Sequence, residues 1–139
     1  MREILFRGKR TDNGKWVYGD LAAYDLISPE YPEDVSDAMG KYYDEIPYVG
    51  FVEVDPKTVG QFTGLTAKGK KIFEGDILST ENGTFSNTGM GHILFYKGMW
   101  TSFYGQDAIG RDCFDELHTV CNSREVIDNI HDNPELLEV

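Results

Sequence analysis

Gly64-Leu65-Thr66-Ala67-Lys68-Gly69-Lys70-Lys71-Ile72-Phe73-Glu74-Gly75-Asp76-Ile77 admits two incompatible readings, and the choice between them sets the architecture. Its first eight residues nearly satisfy the phosphate-binding pattern G-x-x-x-x-G-K-[ST], which would announce an α/β nucleotide domain. That loop needs a hydroxyl in its last position to hold magnesium, and a helix whose N-terminus faces the phosphates. Lys71 stands where the hydroxyl belongs, and Ile72-Phe73-Glu74-Gly75-Asp76-Ile77 continues as turn and strand. The stretch reads instead as a glycine-assisted hairpin, with strands over 58–63 and 71–73 around the loop 64–69.

The flanking sequence repeats this pattern. Glu3–Arg7 and Lys15–Gly19 are short β-branched and aromatic runs joined by Thr11-Asp12-Asn13-Gly14, whose Asn-Gly supplies the positive φ angles of a reversing loop. Val49–Val54 is another strand, ended by the Asp55-Pro56 turn, and Asp76–Thr80 another, broken at Glu81-Asn82-Gly83. His92–Tyr96 and Met99–Tyr104 flank Lys97-Gly98, a strong two-residue hairpin signal. Leu117–Cys121 and Val126–Ile130 complete the strands. Helix signals are few: an acidic segment at Glu33–Met39, and a terminal turn at Asn133–Leu137 with Asn133 as cap and Pro134 in the first helical position. Short strands at this spacing point to a small barrel or a strongly bent sheet.

The chain has 139 residues and is 40% apolar, enough for one domain that buries roughly two-thirds of its unfolded surface. Thirteen basic against 24 acidic side chains give a net charge of −11, which disfavours a generic polyphosphate binder. The charge is uneven. Arg2, Arg7, Lys9, Arg10 and Lys15 form one basic island, Lys57, Lys68, Lys70 and Lys71 a second, and residues 28–55 carry eight acids with only Lys41. No apolar run approaches the ~18 residues of a membrane span, and Met1-Arg2-Glu3-Ile4 does not open a signal peptide. Two cysteines are too few for a disulfide framework. The expectation is a soluble, acidic, cytoplasmic protein.

Catalytic and metal patterns are weak. Cys113, His118 and Cys121 offer three ligands in a C-x₄-H-x₂-C spacing, but structural zinc sites want four, usually from tight C-x-x-C pairs. On a strand, alternation would point His118 and Cys121 to opposite faces. Asp112, Asp115 and Glu116 near His118, and Asp128 near His131, can be drawn as acid–base pairs, as they could in any chain this acidic. There is no G-x-S-x-G elbow and no H-E-x-x-H pair. No catalytic residue, metal site or cofactor is expected, and Asn82-Gly83-Thr84 is simply a turn. The candidate binding residues are aromatic and basic: Arg7, Lys9, Arg10, Trp16, Lys68, Lys70, Lys71 and Trp100, with Tyr18, Tyr96 and Tyr104 as further strand aromatics. Such a mixture can line a groove for peptide or single-stranded nucleic acid, or the rings can simply fill a core.

Several segments together resemble the YopX-like family, small proteins encoded mainly by phages and prophages of low-GC Gram-positive bacteria. The likeness rests on Ile4–Gly8 with Lys15–Gly19, then on Val59-Gly-Gln-Phe-Thr-Gly-Leu65 leading into Lys68-Gly-Lys70 and Ile72-Phe-Glu-Gly-Asp-Ile77. It resumes at Ile93–Tyr96 and closes with Glu125–Ile130 and Asn133–Leu137. Residues 25–48 stand apart as a variable acidic insert in a single domain spanning 1–139. The resemblance implies a mainly β fold with minor α, built on a small SH3-like barrel element with additional hairpins, and it carries over no catalytic residues. In the E-G-D-I run, Gly75 would permit the bend and the Asp76 carboxylate would cap neighbouring N–H groups. The expected role is a phage or prophage accessory protein of the host cytoplasm, not an enzyme, that binds a protein partner. Nucleic-acid binding through the basic strand–loop face is the alternative. A homo-oligomer is compatible with exposed sheet edges.

Overall fold

The computed structural model describes residues 3–29, 51–80 and 89–138. The acidic segment Glu33–Met39, which the sequence leaves open between a helix and a loop, most of the acidic insert and the break at 81–83 lie outside them. The chain divides into two compact units, Met1–Gln61 and Phe62–Val139.

The first unit contains β1 (Phe6–Lys9), β2 (Trp16–Ala23), β3 (Leu26–Pro29) and β4 (Val52–Glu53), antiparallel in the order β4-β3-β2-β1. The Asn13-Gly14 loop closes β1 on β2 as expected: Lys9 lies opposite Trp16, and the Gly14 N–H donates to the Arg10 carbonyl at 2.9 Å. Ile27, Val52 and Val54 are buried. β3 lies inside the segment set apart as an insert. All four of its residues pair with β2, and Leu26 and Ile27 pair also with β4, so residues 26–29 belong to the sheet and not to an insert. The Asp55-Pro56 turn is a single 3₁₀ turn over Pro56–Thr58, with the Asp55 carboxylate accepting from the Lys57 N–H.

β5 (Gly60–Ala67) begins in the first unit, where it pairs with β1, and continues into the second, where it pairs with β6 (Lys70–Phe73). The hairpin reading of this stretch therefore holds, but its loop is shorter than expected. Only Lys68 and Gly69 turn, both at positive φ, and Gly64 sits in a register shift inside the strand. The Thr63 hydroxyl steadies the shift by donating to the Ile72 carbonyl and accepting from the Leu65 N–H. After β6, Gly75 turns at φ +91°, and the Asp76 carboxylate, 2% exposed, accepts from the Phe73 N–H at 2.8 Å.

The rest of the second unit is an antiparallel sheet of order β10-β9-β8-β7-β11. Its strands are β7 (Asp76–Ser79), β8 (Met90–Tyr96), β9 (Met99–Gln106), β10 (Asp112–Glu116) and β11 (Val126–Asn129). Lys97 and Gly98, at φ +50° and +81°, form the two-residue hairpin turn that the sequence predicts. Ala67, Ile72, Leu78, Ile93, Leu117 and Cys121 form one buried cluster, against which Leu65, Trp100 and Val126 pack. Neither sheet closes into a barrel among the described residues.

Leu117–Cys121 is not a strand. Leu117–Val120 is a one-turn helix, α1, continued by a 3₁₀ turn over Cys121–Ser123. The reason is burial at a spacing of four: Leu117 and Cys121 both enter the core while His118 and Thr119 between them are exposed, a pattern that helix satisfies and strand alternation does not. The terminal turn forms over Pro134–Leu137 with Pro134 leading, but the Asn133 side chain donates to the Asp128 carboxylate instead of capping.

Candidate functional site

Alternation along β8, β9 and β10 sorts their side chains to two faces. Ile93 and Trp100 lie on the face that meets the buried cluster, with Ser102, Tyr104 and Asp115. His92, Tyr96, Phe103, Asp112, Phe114 and Glu116 lie on the other. There Tyr96 touches Phe103 and Phe114 with ring centroids 5.6 and 5.2 Å apart, and His92 meets Phe103 at 5.9 Å. The three carbocyclic rings are half-buried, and Asp112 and Glu116 are exposed. The Tyr96 hydroxyl donates to the Asp112 carboxylate, which also accepts from Gln106 Nε2 at 3.2 Å. The bond raises the Tyr96 pKa and lowers that of Asp112. Lys97 Nζ stands 5.3 Å from the Tyr96 ring centroid. Burial pushes the His92 pKa below its ordinary value, because its charged form loses water.

This cluster ends at β10, the edge strand of the sheet among the described residues. Among the described residues β10 pairs with β9 alone. The register between them jumps from Gly105 opposite Cys113 to Phe103 opposite Phe114, so the extra residue belongs to β9 and β10 keeps its alternation. The β9–β10 connection is fixed by Asp107, whose carboxylate accepts from the N–H groups of Ile109 and Arg111 and from Arg111 Nε.

On the opposite face of β10 is a polar tie. The Arg124 side chain is 3% exposed and donates to the Asp115 carboxylate at 3.2 Å, the Tyr104 hydroxyl at 3.3 Å and the Ser79 carbonyl at 3.2 Å. Tyr104 also donates to Asp115. Burial, and then this bond, raise the Tyr104 pKa. The arrangement joins β7, β9, β10 and the segment after α1, which makes it a structural tie.

The residues singled out from sequence are largely engaged within the fold. In the first unit, Arg7 is 6% exposed with its guanidinium carbon 4.7 Å from the Trp16 ring centroid, and Lys9 Nζ lies 5.8 Å from the same ring. Arg10 grips Asp12 with two bonds of 2.9 and 2.7 Å, which lowers the Asp12 pKa. In the second unit, Lys71 stands 5.4 Å from the Phe62 ring centroid, and Lys68 lies 3.9 Å from Glu125. Lys70 is exposed. Trp100 packs against the core and meets Phe95 edge-on at 5.1 Å. The first basic island thus lies in the first unit, while the second is split, with Lys57 in the first unit and Lys68, Lys70 and Lys71 in the second.

Cys121 is buried, whereas His118 is 65% exposed with Nε2 3.6 Å from Glu116. Among the described residues no three of His, Cys, Asp and Glu gather as a metal site would require. No described helix is long and apolar enough to cross a membrane. Sequence reasoning missed Phe103, Phe114 and β10. The available signal was the alternation Asp112-x-Phe114-x-Glu116 after a glycine turn.

A family model described as YopX protein matches residues 5–138. Among solved structures, the chain is similar to protein EF1440 from Enterococcus faecalis, with a TM-score of 0.54 at 20% identity, covering 99% of this chain and 100% of that one. That likeness concerns the fold. A search of curated proteins finds no match.

Proposed function

The chain belongs to the YopX family, and from that premise we propose that it is a phage- or prophage-encoded accessory protein of the bacterial cytoplasm, working as a non-catalytic protein-binding module. The observation that carries this reading is the Tyr96–Phe103–Phe114 cluster, half-exposed and ending at the open strand β10. Aromatic side chains supply large contact area at small entropic cost, and they are enriched at protein interfaces.

Nucleic-acid binding is the weaker reading. It needs free cations to meet phosphates, yet Arg7 and Lys9 stack on Trp16, Arg10 pairs with Asp12, and Lys71 stands over Phe62. A net charge of −11 adds repulsion.

The test is photo-crosslinking in cells of the natural host, with benzoylphenylalanine replacing Phe114 or, as a control, the exposed Lys57 of the Pro56–Thr58 turn. A discrete adduct with another protein from position 114, lacking at position 57, is the expected result. Adducts with this chain alone, or none, would refute the reading.

A further inference from the structure

We infer that β10 receives an added strand from a partner segment with a basic, apolar, basic alternation; the inference rests on the protein-binding reading and names the partner's chemistry. A strand at the end of a sheet presents unpaired N–H and C=O groups, and an extended peptide can complete them. Because β10 keeps its alternation, Asp112, Phe114 and Glu116 point to one face at a spacing of two. An incoming strand would lay one side chain beside Phe114 and Tyr96, whose rings already touch at 5.2 Å. Its residues two before and two after would meet the exposed carboxylates of Asp112 and Glu116.

The same pattern argues against a second copy of this chain. Antiparallel self-pairing centred on Phe114 would set Asp112 against Glu116 twice, and parallel pairing would set each acid against itself. Like charges directly opposite destabilise a strand pair. The far edge of the sheet among the described residues, β11, carries Asp128 and follows Glu125, so head-to-tail stacking would again bring acids toward acids. The acids that repel another β10 attract lysine or arginine, and specificity built from both effects needs no further contact.

The experiment titrates the full chain, labelled with nitrogen-15, with the blocked peptide Thr-Lys-Thr-Phe-Thr-Lys-Thr and its counterpart with Glu in place of Lys. The expected result is shifts at the amides of residues 112–116 with the basic peptide and about tenfold weaker binding of the acidic one. The D112K/E116K variant should reverse that preference, and E116K alone, which leaves the Tyr96–Asp112 bond intact, should narrow it. N-methylation of alternate peptide amides should abolish binding on one register and spare it on the other. Equal binding of both peptides, shifts elsewhere, no shifts, or a concentration-dependent dimer protected at β10 would each overturn the inference. A specific adduct at position 114 combined with any of these would leave the protein-binding reading standing.

Discussion

Replacing Asp115 with alanine should cost more stability than replacing Arg124 with methionine, although the two side chains share one hydrogen bond. The asymmetry follows from their exposures, 35% for Asp115 and 3% for Arg124. With Asp115 truncated, the guanidinium stays buried with the Ser79 carbonyl and the Tyr104 hydroxyl as its remaining acceptors among the described residues. Removing one partner of a buried pair costs about 3–5 kcal/mol, and partial exposure of the lost carboxylate brings this to about 3 kcal/mol. With Arg124 replaced by methionine, three donated bonds are lost at about 1 kcal/mol each. Apolar packing of the new side chain and rehydration of Asp115 offset part of that. The change also removes a buried Arg124 Nε that has no hydrogen-bond partner among the described residues. The net loss is about 1–2 kcal/mol. Urea unfolding resolves the difference: at a slope of roughly 2 kcal/mol per molar, the midpoints of the two variants should differ by about 0.5–1 M. A cost for R124M equal to or above that for D115A, or under about 1 kcal/mol for both, would refute the reasoning.

Stability should fall as pH drops below the ordinary histidine value of 6.5, because burial lowers the folded pKa of His92 and the unfolded chain then binds the extra proton; H92N should flatten that slope in urea midpoints measured between pH 7 and 5. At the other end, the raised Tyr104 pKa means stability held below pH 10 is lost as pH rises further, and Y104F should remove this loss in the same assay. G19A should separate β2 from β3, because an added Cβ would lie 1.9 Å from the Ser28 carbonyl oxygen; circular dichroism should report a melting point lower by several degrees. A salt titration with labelled single- and double-stranded DNA and RNA should show no binding that weakens steeply with salt, so changing Lys68, Lys70 and Lys71 to glutamate should leave the signal unaltered.

The hairpins were legible in the sequence because their turns are set by local chemistry. Gly14 and Gly98 need no tertiary partner to adopt positive φ, and Asp76 reaches a backbone N–H only three residues away. Leu117–Val120 was not legible. Thr119 and Val120 favour a strand by propensity, Glu116 gives no side-chain cap, and the helix exists because Leu117 and Cys121 both find the core. β3 was hidden because the acidic composition of 28–55 overshadowed Leu26-Ile27, whose strand state depends on β2 and β4. The candidate site shows the same division. Its aromatic and basic residues could be found by type, but the seating of Arg7 and Lys9 on Trp16 depends on cross-strand register. The contact among Tyr96, Phe103 and Phe114 joins three strands, one of them with no β-branched residue.

The central claim, that the aromatic cluster and the β10 edge form a partner-binding surface, meets its most direct test in amide hydrogen exchange on the full chain with and without the protein captured at position 114. The account predicts slowed exchange at residues 112–116 and in the adjoining part of β9. Unchanged exchange there, with protection confined to β1 and β2, would contradict it.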